Sequence, residues 1–255
     1  MFNTADLLPV PFSLVIYGAF IALFAGFVRG FAGFGFSAFT VAGLSLLSSP
    51  THIVPASMLL EVLASLSLLH SVWRDISWSW LTPLILGNAI AVPFGVWSLA
   101  LLPEALLSIL VSAVILCAAG LLLSGIRPPW SDTPKIRFAT GLVSGFLNGL
   151  SAVGGMVAAM MLFATSLSAK TLRATLITFF LMSYVYALCW AKGQGLIDAI
   201  MLQWVVCLFV PMLVGIIMGQ RQFLNVSEVR FKQFTLQILA IVAALGLTRA
   251  LFQNL

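Results

Sequence analysis

Apolar residues run along this chain in blocks of roughly twenty, the length a helix needs to cross a bilayer, separated by short clusters of proline, glycine and charge. The blocks cover about 12–28, 31–48, 53–72, 79–101 and 104–125. The most polar link of the chain follows, Arg127-Pro128-Pro129-Trp130-Ser131-Asp132-Thr133-Pro134-Lys135. The pattern then resumes over about 138–149, 151–168, 171–192, 197–220 and 229–252. We label these segments A to E and A′ to E′. They predict an all-α polytopic membrane protein in two units, 1–126 and 138–255, joined by a linker at 127–137.

Composition turns that pattern into an exclusion. Of 255 residues, 62% are hydrophobic and 7% charged, against about 45–50% and about 25% in soluble domains. So few charges cannot clothe a water-soluble surface of this size. Cys117, Cys189 and Cys207 sit alone in apolar runs, without metal-ligand or redox spacing, and read as small hydrophobes. The net charge of +5 reports membrane orientation, not affinity for nucleic acid. The start, Met1-Phe2-Asn3-Thr4-Ala5-Asp6, lacks the basic region of a cleavable signal, so segment A is expected to be a retained helix. No nucleophile elbow, HExxH, phosphate loop or paired intramembrane aspartates occurs, which argues against an enzyme and against a bound cofactor or metal.

The two units resemble each other. Gly26, Phe27, Gly30 and Gly35 recur as Gly145, Phe146, Gly149 and Gly154 at a constant separation of 119, and Gly95 and Glu104 recur as Gly219 and Glu228 at 124. A duplicated unit follows. Charge then selects a topology. If all ten segments cross, or if each A/B pair dips in and returns, one side receives ten cations: Arg29, Arg74, Arg127, Lys135, Arg137, Lys170, Arg173, Arg221, Arg230 and Lys232. The other side receives Lys192 and Arg249. The positive-inside rule puts the 127–137 linker in the cytoplasm and both termini outside. Five segments is an odd number, so the second unit is inverted relative to the first.

The A/B junctions carry the densest chemistry. Arg29-Gly30-Phe31-Ala32-Gly33-Phe34-Gly35 and Asn148-Gly149-Leu150-Ser151-Ala152-Val153-Gly154-Gly155 predict broken or re-entrant glycine-rich helices. The helix that follows each break presents free N–H groups and a positive dipole end, suited to a small anion. Two inverted breaks meeting near the midplane would form one site from Arg29, Gly33, Gly35, Ser37, Asn148, Ser151, Gly154 and Gly155. On the alternative reading the glycines only let helices approach closely, and Arg29 snorkels to the headgroups. Glu61 lies mid-segment, on one face with Ser57 and Ser65, and is either a proton-coupling carboxylate or a neutral hydrogen-bonded one. Segment C′ shows a comparable face of Thr171, Thr175 and Thr178. His52 and His70 read as interfacial histidines.

Gly26-x-x-Arg29-Gly30-x-x-Gly33-Phe34-Gly35-Phe36 and Gly145-Phe146-x-Asn148-Gly149-x-x-x-Val153-Gly154-Gly155 together resemble the signature stretches of the TauE/SafE sulfite exporter family, over about residues 12–250. Ala152 and Met156 depart from the commoner Gly and Pro. The resemblance implies about eight spanning helices and transport of sulfite or organosulfonates across a prokaryotic cytoplasmic membrane. Helix N-termini, an arginine and hydroxyls suit the three oxygens of such anions. The partners expected are a small anionic substrate, the lipid bilayer and further copies of the chain. Competing expectations are a carrier of another small anion or zwitterion, and a membrane assembly component that moves nothing.

Overall fold

A computed structural model describes residues 12–45, 48–103 and 132–224, with scattered positions between 105 and 113. Most of segment E, all of segment E′, Cys117 and linker residues 127–131 therefore lie outside the described residues. The described chain is helical, with no strand: α1 (Phe12–Ala32), α2 (Phe36–Leu44), α3 (Pro50–Val72), α4 (Trp78–Leu101), α5 (Pro134–Ser151), α6 (Gly155–Phe163), α7 (Ala169–Gly193) and α8 (Ala199–Leu224). A 3-10 turn, Trp73–Asp75, follows α3. By length and composition α1, α3, α4, α7 and α8 can each cross a membrane.

Local chemistry sets the helix starts. Ser49, Thr133 and Ser168 each accept a backbone N–H from the first turn they precede, and Pro50 and Pro134 fill first positions where no N–H is needed. Segments B and B′ become shorter than their apolar runs. Helices α2 and α6 have nine residues each, about 14 Å at the helical rise, too short to span. Helix α2 runs back along α1, with Gly43 against Ile21 and Leu44 near Gly18.

The closest helix pairs join opposite halves of the chain: α1 packs on α8, and α4 on α5. Glycine permits both. A Cβ on Gly26 or Gly30 of α1 would strike the Met212 or Ile216 carbonyl of α8; one on Gly145 or Gly149 of α5 would strike that of Asn88 or Val92 of α4. Met212 and Ile216 stand 124 residues after Asn88 and Val92, and the two glycine pairs stand 119 apart. The separations of 119 and 124 noted in the sequence also relate these two sets of contacts. Both pairs run parallel, because the partner number rises with the glycine number. Backbone-to-backbone approach of this kind is how helices gain packing contacts where lipid supplies no hydrophobic drive.

The outward faces are apolar. Leu86, Ile90, Phe94 and Trp97 make an exposed stripe on α4, and Val206, Val210, Val214 and Ile217 make one on α8. Trp73, Trp78 and Trp190 are exposed near helix ends, where indole suits the lipid–water boundary. Next to the linker, Arg137 donates to Asp132 Oδ1 (2.7 Å) and to the Ser79 carbonyl (2.8 Å), and Trp80 Nε1 donates to Asp132 Oδ2 (3.2 Å). The Arg137 hydrogen bond holds the Asp132 carboxyl below its ordinary range. This clasp between α4 and α5 is therefore complete at neutral pH and loosens only in acid, as pH falls through that depressed value.

Candidate functional site

Helix α1 ends because Gly33 takes φ +83° and Gly35 φ +99°, left-handed conformations that glycine adopts at least cost. Gly33 is also required by space: a Cβ there would come within 2.8 Å of Arg173 Cγ. Just before this break, Arg29 is fully buried, so it does not snorkel. Its Nε lies 2.9 Å from Glu61 Oε2, its Nη2 donates to Ser65 Oγ at 2.6 Å, and its Nη1 donates to the Gly33 carbonyl. The guanidinium also lies over the Phe180 ring, 4.6 Å from its centre.

Glu61 completes the break from the other side. Its Oε1 accepts from Ser37 Oγ (2.7 Å) and from the Ser37 backbone N–H (3.2 Å), in the first turn of α2. The positive end of α2 is expected to attract an anion, and here that anion is the chain's own carboxylate. A membrane interior makes either charge alone costly, whereas the pair with its hydrogen bonds is tolerated.

The second break has a similar arrangement in neutral form. Helix α5 ends at Ala152, which takes φ +56° 119 residues after Gly33. Tyr184 donates to the Ala152 carbonyl (2.7 Å) and to Asn148 Oδ1 (3.1 Å), and Asn148 Nδ2 donates to Ser183 Oγ (3.1 Å). Positions 29, 33 and 65 thus correspond to 148, 152 and 184, with an arginine bonded to a carbonyl and a serine in one half and a tyrosine bonded to a carbonyl and an asparagine in the other. Phe180 stands 119 residues after Glu61, so the second half carries a ring where the first carries the acid. Ser37 Oγ and Tyr184 OH approach to 3.4 Å, which joins the two networks.

Between the breaks lies a cavity of about 10 Å³ lined by Gly35, Ser37, Glu61, Ala152, Gly155 and Phe180, among others. That is space for a single water at most, too little for an oxyanion. Arg29, Gly33, Gly35, Ser37, Asn148, Gly155 and Glu61 are gathered at the two breaks. Two further expected residues make local contacts. Ser151 donates to the Leu147 carbonyl of its own helix. Gly154 is a packing residue: its carbonyl accepts from Ser144 Oγ (2.8 Å), and a Cβ on it would strike the Ser144 carbonyl. Glycines 26, 30, 145 and 149 follow the packing reading as well.

Neighbouring expectations also shift. Thr175 accepts from the Ser77 N–H at 3.0 Å, and Thr178 bonds its own helix at the Ala174 carbonyl, so the polar face that α7 brings to the site is Ser183 and Tyr184. Ser57 is buried without a partner for its hydroxyl. His52 Nδ1 lies 2.9 Å from Asp198 Oδ2, joining α3 to the α7–α8 connection, whereas His70 is exposed. Tyr184 and Phe180 were legible only by carrying the separation of 119 from the glycines on to Ser65 and Glu61. No group of three or more His, Cys, Asp or Glu with metal-binding geometry occurs among the described residues.

The described residues define an α-helical protein with five helices long and apolar enough to cross a membrane and an ion pair buried at a helix break. Residues 18–246 match the profile of the family described as Sulfite exporter TauE/SafE, and the chain belongs to that family. It is therefore a multi-pass membrane transporter of the sulfite- and anion-exporter type. Comparison with curated proteins and with solved structures gave no match.

Proposed function

We propose that the chain is a secondary transporter of a small sulfur-containing oxyanion, sulfite or an organosulfonate, across a prokaryotic cytoplasmic membrane, and that it couples this movement to a proton through Glu61. The observation that carries the reading is the seat of the Glu61 carboxylate, on Arg29 and on the first turn of α2. A substrate oxyanion needs those same donors. It takes them when Glu61 is protonated and its charge no longer holds the arginine. Anion and proton then bind together, Gly35, Gly155 and the Ser37 and Tyr184 hydroxyls flank the anion, and Asn148 holds Tyr184 in place. Widening of that cavity toward either face is the step that transport adds.

The two units are read as inverted repeats with re-entrant α1–α2 and α5–α6 pairs. The matched glycine contacts, the matched breaks and the antiparallel course of α3 against α7 support this, since His52 lies near Asp198 while Ser77 lies near Thr175. Burial removes Arg29 and Arg173 from the loop charges, which leaves eight cations against two and the same orientation. A single cysteine at Ser131, in a variant lacking Cys117, Cys189 and Cys207, is expected to resist an impermeant thiol reagent in intact cells. Labelling there reverses the topology.

The function is tested in proteoliposomes with an imposed pH gradient and a panel of sulfite, sulfonates, sulfate and amino acids. Gradient-driven movement of sulfite or a sulfonate, but not of amino acids, is the expected result. Equal rates in protein-free vesicles for every solute would end the transport reading for these substrates.

A further inference from the structure

A larger cavity, about 140 Å³, opens at the opposite end of α3 from His52, between α3, α7 and the end of α8. Ser71, Asp75, Lys170, Arg173, Gln220 and Phe223 line it. Arg173 is only 3% exposed. Its Nη2 donates to the Gly30 carbonyl at 2.7 Å, and its guanidinium lies 4.5 Å from the centre of the Phe223 ring. Among the described residues its Nε has no hydrogen-bond partner, and no carboxylate forms an ion pair with it.

The two buried arginines therefore differ. Arg29 is neutralised by Glu61, while Arg173 is a buried cation to which no described residue supplies a counter-charge. A lone buried charge in a membrane protein is costly and marks a ligand or ion path. Lys170 stands in the same wall, near the positive start of α7, and balances Asp75, which is exposed. The cavity thus carries one net positive charge, a free guanidinium N–H and room for a few waters, which suits a small oxyanion held by charge-assisted hydrogen bonds.

We propose that this cavity is a second oxyanion site, centred on Arg173, which receives the substrate on the side rich in Lys and Arg before it reaches the helix breaks. Its place on a transport route rests on the function proposed above; its capacity to bind does not. Arg173 touches both places, since its side chain packs against Gly33 and holds the Gly30 carbonyl. An anion in the cavity is therefore in contact with the residue that braces the first break.

The test is calorimetric titration of the full chain, in nanodiscs of zwitterionic lipid, with sulfite and with methanesulfonate. Two binding events are expected. Arg173→Ala should abolish one of them. Ser71→Phe, which fills the cavity and leaves the Arg173–Gly30 bond intact, should weaken the same event at least tenfold, and this variant decides the matter if Arg173→Ala does not fold. A single event untouched by both variants overturns the inference and leaves the site at the breaks standing. A single event lost in both upholds the inference and removes the breaks as a binding site. Absence of binding by either anion overturns both. In discs containing phosphatidylglycerol, an Arg173-dependent lipid retained in native mass spectrometry that excludes free sulfite assigns the cavity to a headgroup, and overturns the inference.

Discussion

Replacing Glu61 by glutamine is expected to raise oxyanion affinity at neutral pH at least tenfold, to flatten its pH dependence, and to abolish proton-driven accumulation. On the mechanism proposed above, the anion competes with the Glu61 carboxylate for the donors it now occupies, Arg29 and the first turn of α2. If one proton binds with each anion, affinity falls as pH rises. Glutamine carries no charge and no proton, so the competition ends. The amide also accepts on one oxygen only, whereas Glu61 receives Ser37 on Oε1 and meets Arg29 on Oε2. Breaking a buried pair costs about 3–5 kcal/mol, and bound anion should restore part of that loss. The checks are anion titration at a series of pH values and accumulation under a pH gradient. Identical affinity profiles and undiminished accumulation in the variant would make Glu61 a structural residue.

Gly30→Ala and Gly149→Ala are expected to destabilise the protein by similar amounts, about 3 kcal/mol each, the upper end for overpacking. The new methyl would meet backbone that cannot turn away: the Ile216 carbonyl in one case, and in the other the Val92 carbonyl at 2.5 Å and the Val96 nitrogen at 2.7 Å. Gly193→Ala is the control. Nothing lies within 4 Å of a Cβ at that position, so the change should stay within about 1 kcal/mol of wild type, set by helix propensity alone. Denaturant unfolding in detergent measures all three. A Gly149→Ala protein as stable as the Gly193→Ala protein would contradict close packing of α4 on α5.

Much of the site was legible in the chain because breaks and charges are local features. Arg29, Asn148 and the glycines around them announce an interrupted helix wherever the rest of the protein lies, and a carboxylate as deep in an apolar run as Glu61 must have a partner. That the partner is Arg29, 32 positions away, is not a property of either segment. The helices are apolar on nearly every face, so periodicity does not say which face meets which neighbour. Gly154 shows the limit of the repeat. It aligns with Gly35, yet Gly35 stands at φ +99° beside the cavity while Gly154 stands at φ −57° against α5. Equal residues at equal positions were put to different uses because Glu61 occupies one first turn and Phe180 crowds the other.

The exchange of partners between halves has a consequence for biosynthesis. Helix α1 leaves the ribosome roughly 170 residues ahead of α8, against which its glycine face packs, an interval of about ten to thirty seconds at ordinary elongation rates. Through that time the α1 seam faces lipid or a holding factor of the insertion machinery. The counter-ion of Arg29 comes much sooner, with α3, so the charge is neutralised early while the seam waits. Stalled or truncated chains that end before α8 should then present Gly26 and Gly30 bare to the bilayer, a surface suited to capture by α8 of another copy and to recognition by quality-control proteases that survey unpaired membrane helices.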